Sequence, residues 1–186
     1  MAYPDGPLDA FHPLAGFFRR RQEAFPKLRQ VPASDLPEHF RYLLDHDSDM
    51  TSKLESFHAS AIGLLLLHQH SEAPWLEREV VLFRESDQAP VEYGAIAICL
   101  QALPEKGQEA VRAARMPFGA ILRECEVEYR SHPSRFFEGE AGGSIAESLQ
   151  VAAGTPTWGR CNVLSNTGSG TLARIVEILP GPVIDR

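Results

Sequence analysis

Two residues carry chemistry at odds with their surroundings. Trp75-Leu76-Glu77-Arg78-Glu79-Val80-Val81-Leu82-Phe83 has aromatic and β-branched residues, no internal glycine or proline, and a turn cluster after it. That composition predicts a β-strand. Alternate side chains of a strand face opposite ways. Leu76, Arg78, Val80 and Leu82 therefore share one face, and Trp75, Glu77, Glu79, Val81 and Phe83 the other. Arg78 interrupts an aliphatic row. The stretch Thr171 to Leu179 does the same: Ala173, Ile175, Glu177 and Leu179 form an apolar row with one carboxylate. Its opposite face, Leu172, Arg174, Val176 and Ile178, is equally apolar with one arginine, so periodicity does not say which face is inside. An unpaired buried charge is costly. Arg78 is therefore expected either to pair internally with a carboxylate or to hold a ligand. A guanidinium grips a carboxylate bidentately, which lysine does less well. Burial raises the pKa of a glutamate in such a wall, a nearby arginine lowers it, and the group can share a proton with a hydroxyl. A cavity with a cation at one end and a carboxyl at the other suits a small ring bearing a carboxylate and a hydroxyl.

Other chemistries find less support. There is no Gly-x-Ser-x-Gly elbow, and Cys99, Cys125 and Cys161 lack a clear histidine partner. Asp45-His46-Asp47-Ser48-Asp49-Met50-Thr51 alternates acids like a calcium loop. It has Met50 where glycine is required and Ser56 where glutamate is required, so a calcium site is rejected. His68 and His70 share a strand face, but no third ligand follows at a recognisable spacing, and two polar residues at a strand end are preferred to a metal. The turn Asn166-Thr167-Gly168-Ser169-Gly170 precedes a strand rather than a helix and is no phosphate loop. The first amides of a short helix opened by Pro117 would suit an anion or a polar ligand atom.

The elements that must position these residues can be read in order. Met1 to Pro13 looks loose. A short helix is predicted over Phe17 to Phe25, with Arg19, Arg20 and Arg21 as a solvated face. Ser34 or Asp35 caps a helix bearing Leu36, Phe40, Leu43 and Leu44. Asp47 to Asp49 precede another, through about Phe57, with Met50, Leu54 and Phe57 on one face. Ala61 to His70 reads as a buried strand. The Arg78 strand and Val91 to Leu100, apolar on both faces, make a hairpin central to a sheet. Helices follow from Glu105 to about Ala114 and over Phe118 to Leu122. A strand covers Glu126 to Phe137, interrupted near Pro133, with a short helix over Ser144 to Gln150. Trp158 to Leu164 and Thr171 to Leu179 form a closing hairpin.

Bulk properties narrow the class. A chain of 186 residues is most simply one domain, here 1–186 with residues 1–33 as a partly loose extension. A net charge of -7 argues against a nucleic-acid partner. The N-terminus lacks the pattern of a signal peptide, and the longest apolar run, Ala61 to Leu67, is too short to span a bilayer. Three cysteines without close-paired spacing suit reduced thiols in the cytoplasm. A monomer is favoured.

Four stretches in order carry a resemblance to a known family: Leu43-Leu44 with Ser48-Asp49-Met50-Thr51; Trp75 to Leu82; Met116-Pro117-Phe118-Gly119; and Trp158-Gly159-Arg160 leading to Ile175-Val176-Glu177-Ile178-Leu179-Pro180. Over roughly Leu36 to Pro180 the chain resembles the chorismate pyruvate-lyases (4-hydroxybenzoate synthases). The resemblance implies an α+β fold, a single antiparallel sheet with helices packed around it and an enclosed pocket under flaps. It implies that Arg78 and Glu177 are the catalytic pair, Arg78 holding the ring carboxylate and Glu177 meeting the 4-hydroxyl. Met50 and Phe118 join them in binding substrate, Phe118 narrowing the pocket where the family pattern has leucine. It further implies loss of pyruvate from chorismate to give 4-hydroxybenzoate, as in ubiquinone biosynthesis, with no cofactor and no metal, since aromatisation drives the reaction. The partner is then a small-molecule substrate. The alternative is a non-catalytic, sensor-like domain for a small aromatic acid, or an enzyme on a related hydroxybenzoate-like compound. Sensor domains of this kind follow a basic winged-helix module in some transcription regulators. Fewer than 50 residues precede Met50, and they are acidic, which favours the lyase.

Overall fold

The computed structural model describes residues 9–166 and 170–181. Seven strands form one sheet: β1 (Arg29–Val31), β2 (Ile62–Glu72), β3 (Trp75–Arg84), β4 (Pro90–Cys99), β5 (Tyr129–Glu140), β6 (Pro156–Asn166) and β7 (Thr171–Pro180). Their order is β1-β5-β6-β7-β4-β3-β2, and every pairing is antiparallel. Six helices pack around it: α1 (Leu14–Arg21), α2 (Glu38–Leu44), α3 (Met50–His58), α4 (Glu105–Ala113), α5 (Phe118–Glu124) and α6 (Gly143–Leu149). This is the α+β architecture expected from the sequence. No helix among the described residues is long and apolar enough to cross a membrane.

The sheet separates two covered faces. On one, α1 and α6 bury Phe17, Phe18, Ile145 and Leu149 against Val81, Tyr93, Phe137 and Val176. On the other, two apolar clusters lie side by side. One joins Phe40, Leu44, Met50 and Leu54 to Val80 and Leu82; the other joins Phe118, Ile121 and Leu122 to Leu76, Ile96 and Leu164. Trp158 stacks on Phe40, with ring centroids 4.2 Å apart. The Cβ that any other residue would carry at Gly119 would collide with the carboxylate of Asp49, so glycine there lets α5 close onto the start of α3.

Several local readings need correction. Ala61 to His70 is not a buried strand. β2 is a sheet edge, bonded only to β3, with Leu65 55% exposed and its C-terminal half facing solvent. Its leucine run imitates a buried strand because one face is covered and the edge is merely apolar. The first helix ends at Arg21, where Gln22 turns left-handed, and it starts earlier than expected, at Leu14. Within the stretch read as loose, Phe11 and Pro13 are buried; residues 1–8 lie outside the described residues. Of the three arginines read as a solvated face, Arg19 and Arg20 are exposed, but Arg20 also reaches Glu77, and the half-buried Arg21 reaches Glu79 on the sheet. β1 is three residues long, too short for a two-residue period to show. Asp49 caps α3, its Oδ1 accepting from Ser52 N at 2.8 Å. The β6–β7 hairpin closes through Asn166 N donating to Gly170 O at 3.0 Å; residues 167–169 of its turn lie outside the described residues.

Candidate ligand-binding site

Antiparallel register brings the anomalous residues to one sheet face. Arg78 on β3 is opposite Ile96 on β4, and Ile96 is opposite Ile175 on β7. Two residues along, Gly94 is opposite Glu177, and Glu177 is opposite Arg160 on β6. Two further, Glu92 is opposite Leu82. Arg78, Glu92, Glu177 and Arg160 therefore form a polar row crossing the sheet between the two apolar clusters. A small cavity, partly open to solvent, lies over this row under α3 and α5. Met50, Arg78, Phe118 and Glu177 all line it, with Glu92 and Asn162. The four residues proposed from sequence as the site thus share one space. Met50 and Phe118 are the first residues of α3 and α5, which is how two helix ends bring them over the sheet.

The polar side chains of this row differ in how they are satisfied. Glu177 is 3% exposed, and its Oε2 accepts from Arg160 Nε. Arg160 Nη1 also donates to Leu44 O at 2.7 Å and His46 O at 3.1 Å, fastening the end of α2 to the sheet. Beside it, Gly159 lets Glu177 O and the Phe137 ring lie close over β6, where a Cβ would strike both. Asn162 exchanges hydrogen bonds with Ser131, its Nδ2 donating to Ser131 Oγ at 3.0 Å. Burial of the His46 ring, with Arg160 and Lys53 nearby, lowers its pKa to about 4.

Arg78 is 1% exposed, and its Nε and Nη1 have no hydrogen-bond partner among the described residues. No carboxylate lies within ion-pair distance of it there, so the internal ion pair open from the sequence is not formed. Burial alone lowers its pKa to about 10, which still leaves it cationic near neutrality. Glu92 is 3% exposed and its Oε2 also lacks a partner. Burial first, then the charge of Glu177, pushes its pKa well above the ordinary 4.5, against the pull of Arg160. Glu92 does not stand out from the sequence while Val91 to Leu100 reads as apolar on both faces. The signal was present: Glu92, Gly94, Ile96 and Ile98 alternate as the Arg78 face does.

The cavity presents an unpaired cation, an unpaired acid and apolar walls. Such a lining suits an acidic ligand, and neither serine nor cysteine is part of it. Among the described residues no group of three or more His, Cys, Asp or Glu could hold a metal ion. No family model and no curated protein matches the chain. Solved structures do. PhnF from Mycobacterium smegmatis matches with a TM-score of 0.57 at 16% identity, over 72% of this chain and 64% of that one. The effector domain of the same protein matches with a TM-score of 0.56 at 15% identity, over 72% of this chain and 89% of the domain. The ligand-binding domain of a putative GntR-family transcriptional regulator from Bordetella bronchiseptica matches with a TM-score of 0.50 at 14% identity, over 67% of this chain and 87% of that one. The match spans less than two thirds of full-length PhnF but nearly all of its effector domain.

These likenesses establish a fold shared with effector domains of transcription regulators, and they correct the family expectation. The chorismate pyruvate-lyase assignment is overturned. With it go the enzyme, the chorismate substrate, the release of pyruvate and the place in ubiquinone biosynthesis. A shared fold hosts many functions, so the likeness of fold does not carry an activity with it. The few residues ahead of Met50 did not discriminate either, because an effector domain by itself matches over most of its length.

Proposed function

We propose that this chain is a non-catalytic domain that binds a small organic acid, ring-sized and weakly polar, in the cavity over Arg78. Arg78 takes the acid group, Met50 and Phe118 pack on the body of the ligand, and Glu177 helps shape the far end. The carrying observation is the buried, unpartnered guanidinium of Arg78 facing that cavity. A cation so placed is stabilised when an anion arrives and completes its hydrogen bonds. The effector-domain fold supports binding rather than turnover. Cys99, Cys125 and Cys161 are free thiols, in keeping with a cytoplasmic setting.

Titration calorimetry with 4-hydroxybenzoate tests this reading. Wild type is expected to bind, Arg78→Met is expected to fold and not bind, and chorismate is expected to yield no pyruvate. Equal binding by wild type and Arg78→Met would exclude Arg78 as the anchor.

A further inference from the structure

We propose that Glu92 is the specificity-determining residue of the cavity, reading an uncharged oxygen group, a hydroxyl or carbonyl, at the end of the ligand opposite its acid group. This rests on the reading of Arg78 as the acid anchor and adds the chemistry of the other end.

The choice of Glu92 follows from which polar groups are already engaged. Glu177 accepts from Arg160, Asn162 is bonded to Ser131, and Asp49 caps α3 and meets Ser52. Glu92 lines the same cavity with a buried oxygen that has no partner among the described residues. A buried carboxyl left so is destabilising unless a ligand completes it. Space is available: Gly94 has no side chain, and a Cβ there would lie 3.1 Å from Glu92 Oε1, so glycine leaves that oxygen free.

Distance fits a single ring. Glu92 is four residues along β4 from Ile96, the partner of Arg78. At about 3.4 Å per residue the two backbones are roughly 14 Å apart along the strand direction. Glu92 Oε1 lies near Gly94, two residues toward Ile96, and Arg78 and Glu92 line the one cavity, so a ring with one group at each end suits the space between them.

Charge decides what the far group is. Glu177 is matched by Arg160, so a second ionised carboxylate beside it would have no counter-ion of its own. Glu92 is held toward its neutral form by burial and by Glu177. A neutral carboxyl donates through its O–H and accepts through its carbonyl, which suits a hydroxyl or carbonyl and gives an ammonium no charge to pair with.

Calorimetry with benzoate, 4-hydroxybenzoate and 4-(aminomethyl)benzoate tests the proposal on wild type, Arg78→Met, Glu92→Gln and Glu92→Leu. Wild type is expected to prefer 4-hydroxybenzoate to benzoate by about tenfold, the effect of one well-made hydrogen bond. Glu92→Gln, a neutral group of the same shape, should keep that preference. Glu92→Leu should erase it while benzoate still binds and Arg78→Met still abolishes both. Tighter binding of 4-(aminomethyl)benzoate, or loss of the preference in Glu92→Gln, overturns the neutral role of Glu92. Binding that needs Arg78 but ignores both the 4-substituent and Glu92→Leu overturns this inference alone. Failure of all three acids to bind wild type overturns the Arg78 reading, and this one with it.

Discussion

Arg78 and Glu79 are neighbours on one strand and meet opposite fates. Both are withdrawn from water, at 1% and 0% exposure. Glu79 points to the face under α1 and α6, where it accepts from Arg21, from Tyr93 Oη and from His68 Nδ1, the last at 2.8 Å. Arg21 gains in return: burial would lower its pKa, but Glu79 raises it overall. The Tyr93 hydroxyl is pushed up by its burial and by the adjacent carboxylate. Beside them Arg20 donates to Glu77 at 2.6 Å. Arg78 points to the other face and has no such partner. A charged cluster that is complete within the chain explains itself as a fastening of α1 to the sheet. One that is incomplete among the described residues is the observation on which the proposed ligand site rests.

That contrast is breakable by experiment. The largest effect is expected on the complete face. Glu79→Ala leaves Arg21 without its buried partner and should cost about 3–5 kcal/mol in urea unfolding, with ligand affinity little changed once the protein is folded. A change of under 1 kcal/mol would mean the α1 cluster is not the fastening it looks. On the incomplete face, Arg78→Met should leave the melting temperature equal or higher, because it removes an unpaired buried charge. The same change should weaken acid binding by about 2 kcal/mol or more, roughly thirtyfold, in calorimetry. A strong loss of stability would instead show that Arg78 has a structural partner.

Glu92 sharpens the comparison through pH. Its folded pKa lies above the unfolded 4.5, so above that pH the folded protein binds the extra proton and stability falls as pH rises. Glu92→Gln removes this slope. The stability of the variant relative to wild type should grow by about 1.4 kcal/mol per pH unit over the window where only the folded state is protonated. Parallel pH–stability curves for the two proteins would place Glu92 at its ordinary pKa. The smallest effect belongs to the surface: Arg29 donates to Glu138 at 2.5 Å between β1 and β5, but the arginine side chain is 72% exposed. Arg29→Ala should change stability by less than about 1 kcal/mol, and high salt should erase even that.

Much of this molecule was legible in advance. The Trp75 to Phe83 and Thr171 to Leu179 strands have residue types that only a sheet uses well, and β3, β4, β6 and β7 fall where turn residues separate such runs. Helices α2 to α5 announce themselves by apolar spacing, by Asp49 and by the prolines at positions 37, 104 and 117. What failed was of a different kind. The pairing of Arg20 and Arg21 with the buried Glu77 and Glu79 spans 57 and 58 residues, and no local pattern contains it. Glu92 was hidden because a single acid among Val91, Tyr93 and Ile96 looks like a tolerated exception until its surroundings are known.

The sequence by itself determined most of the strands and helices, and that Arg78 and Glu177 stand on apolar strand faces, because periodicity and propensity are properties of neighbouring residues. Only the tertiary structure decided which of those charges is satisfied. Glu177 found Arg160 across β6, Glu79 found Arg21 across the α1 interface, and Arg78 and Glu92 found nothing within the described chain. Pairing of buried charges is set by strand register and by helices returning from far along the chain, and that separates a structural ion pair from a buried charge without a partner among the described residues.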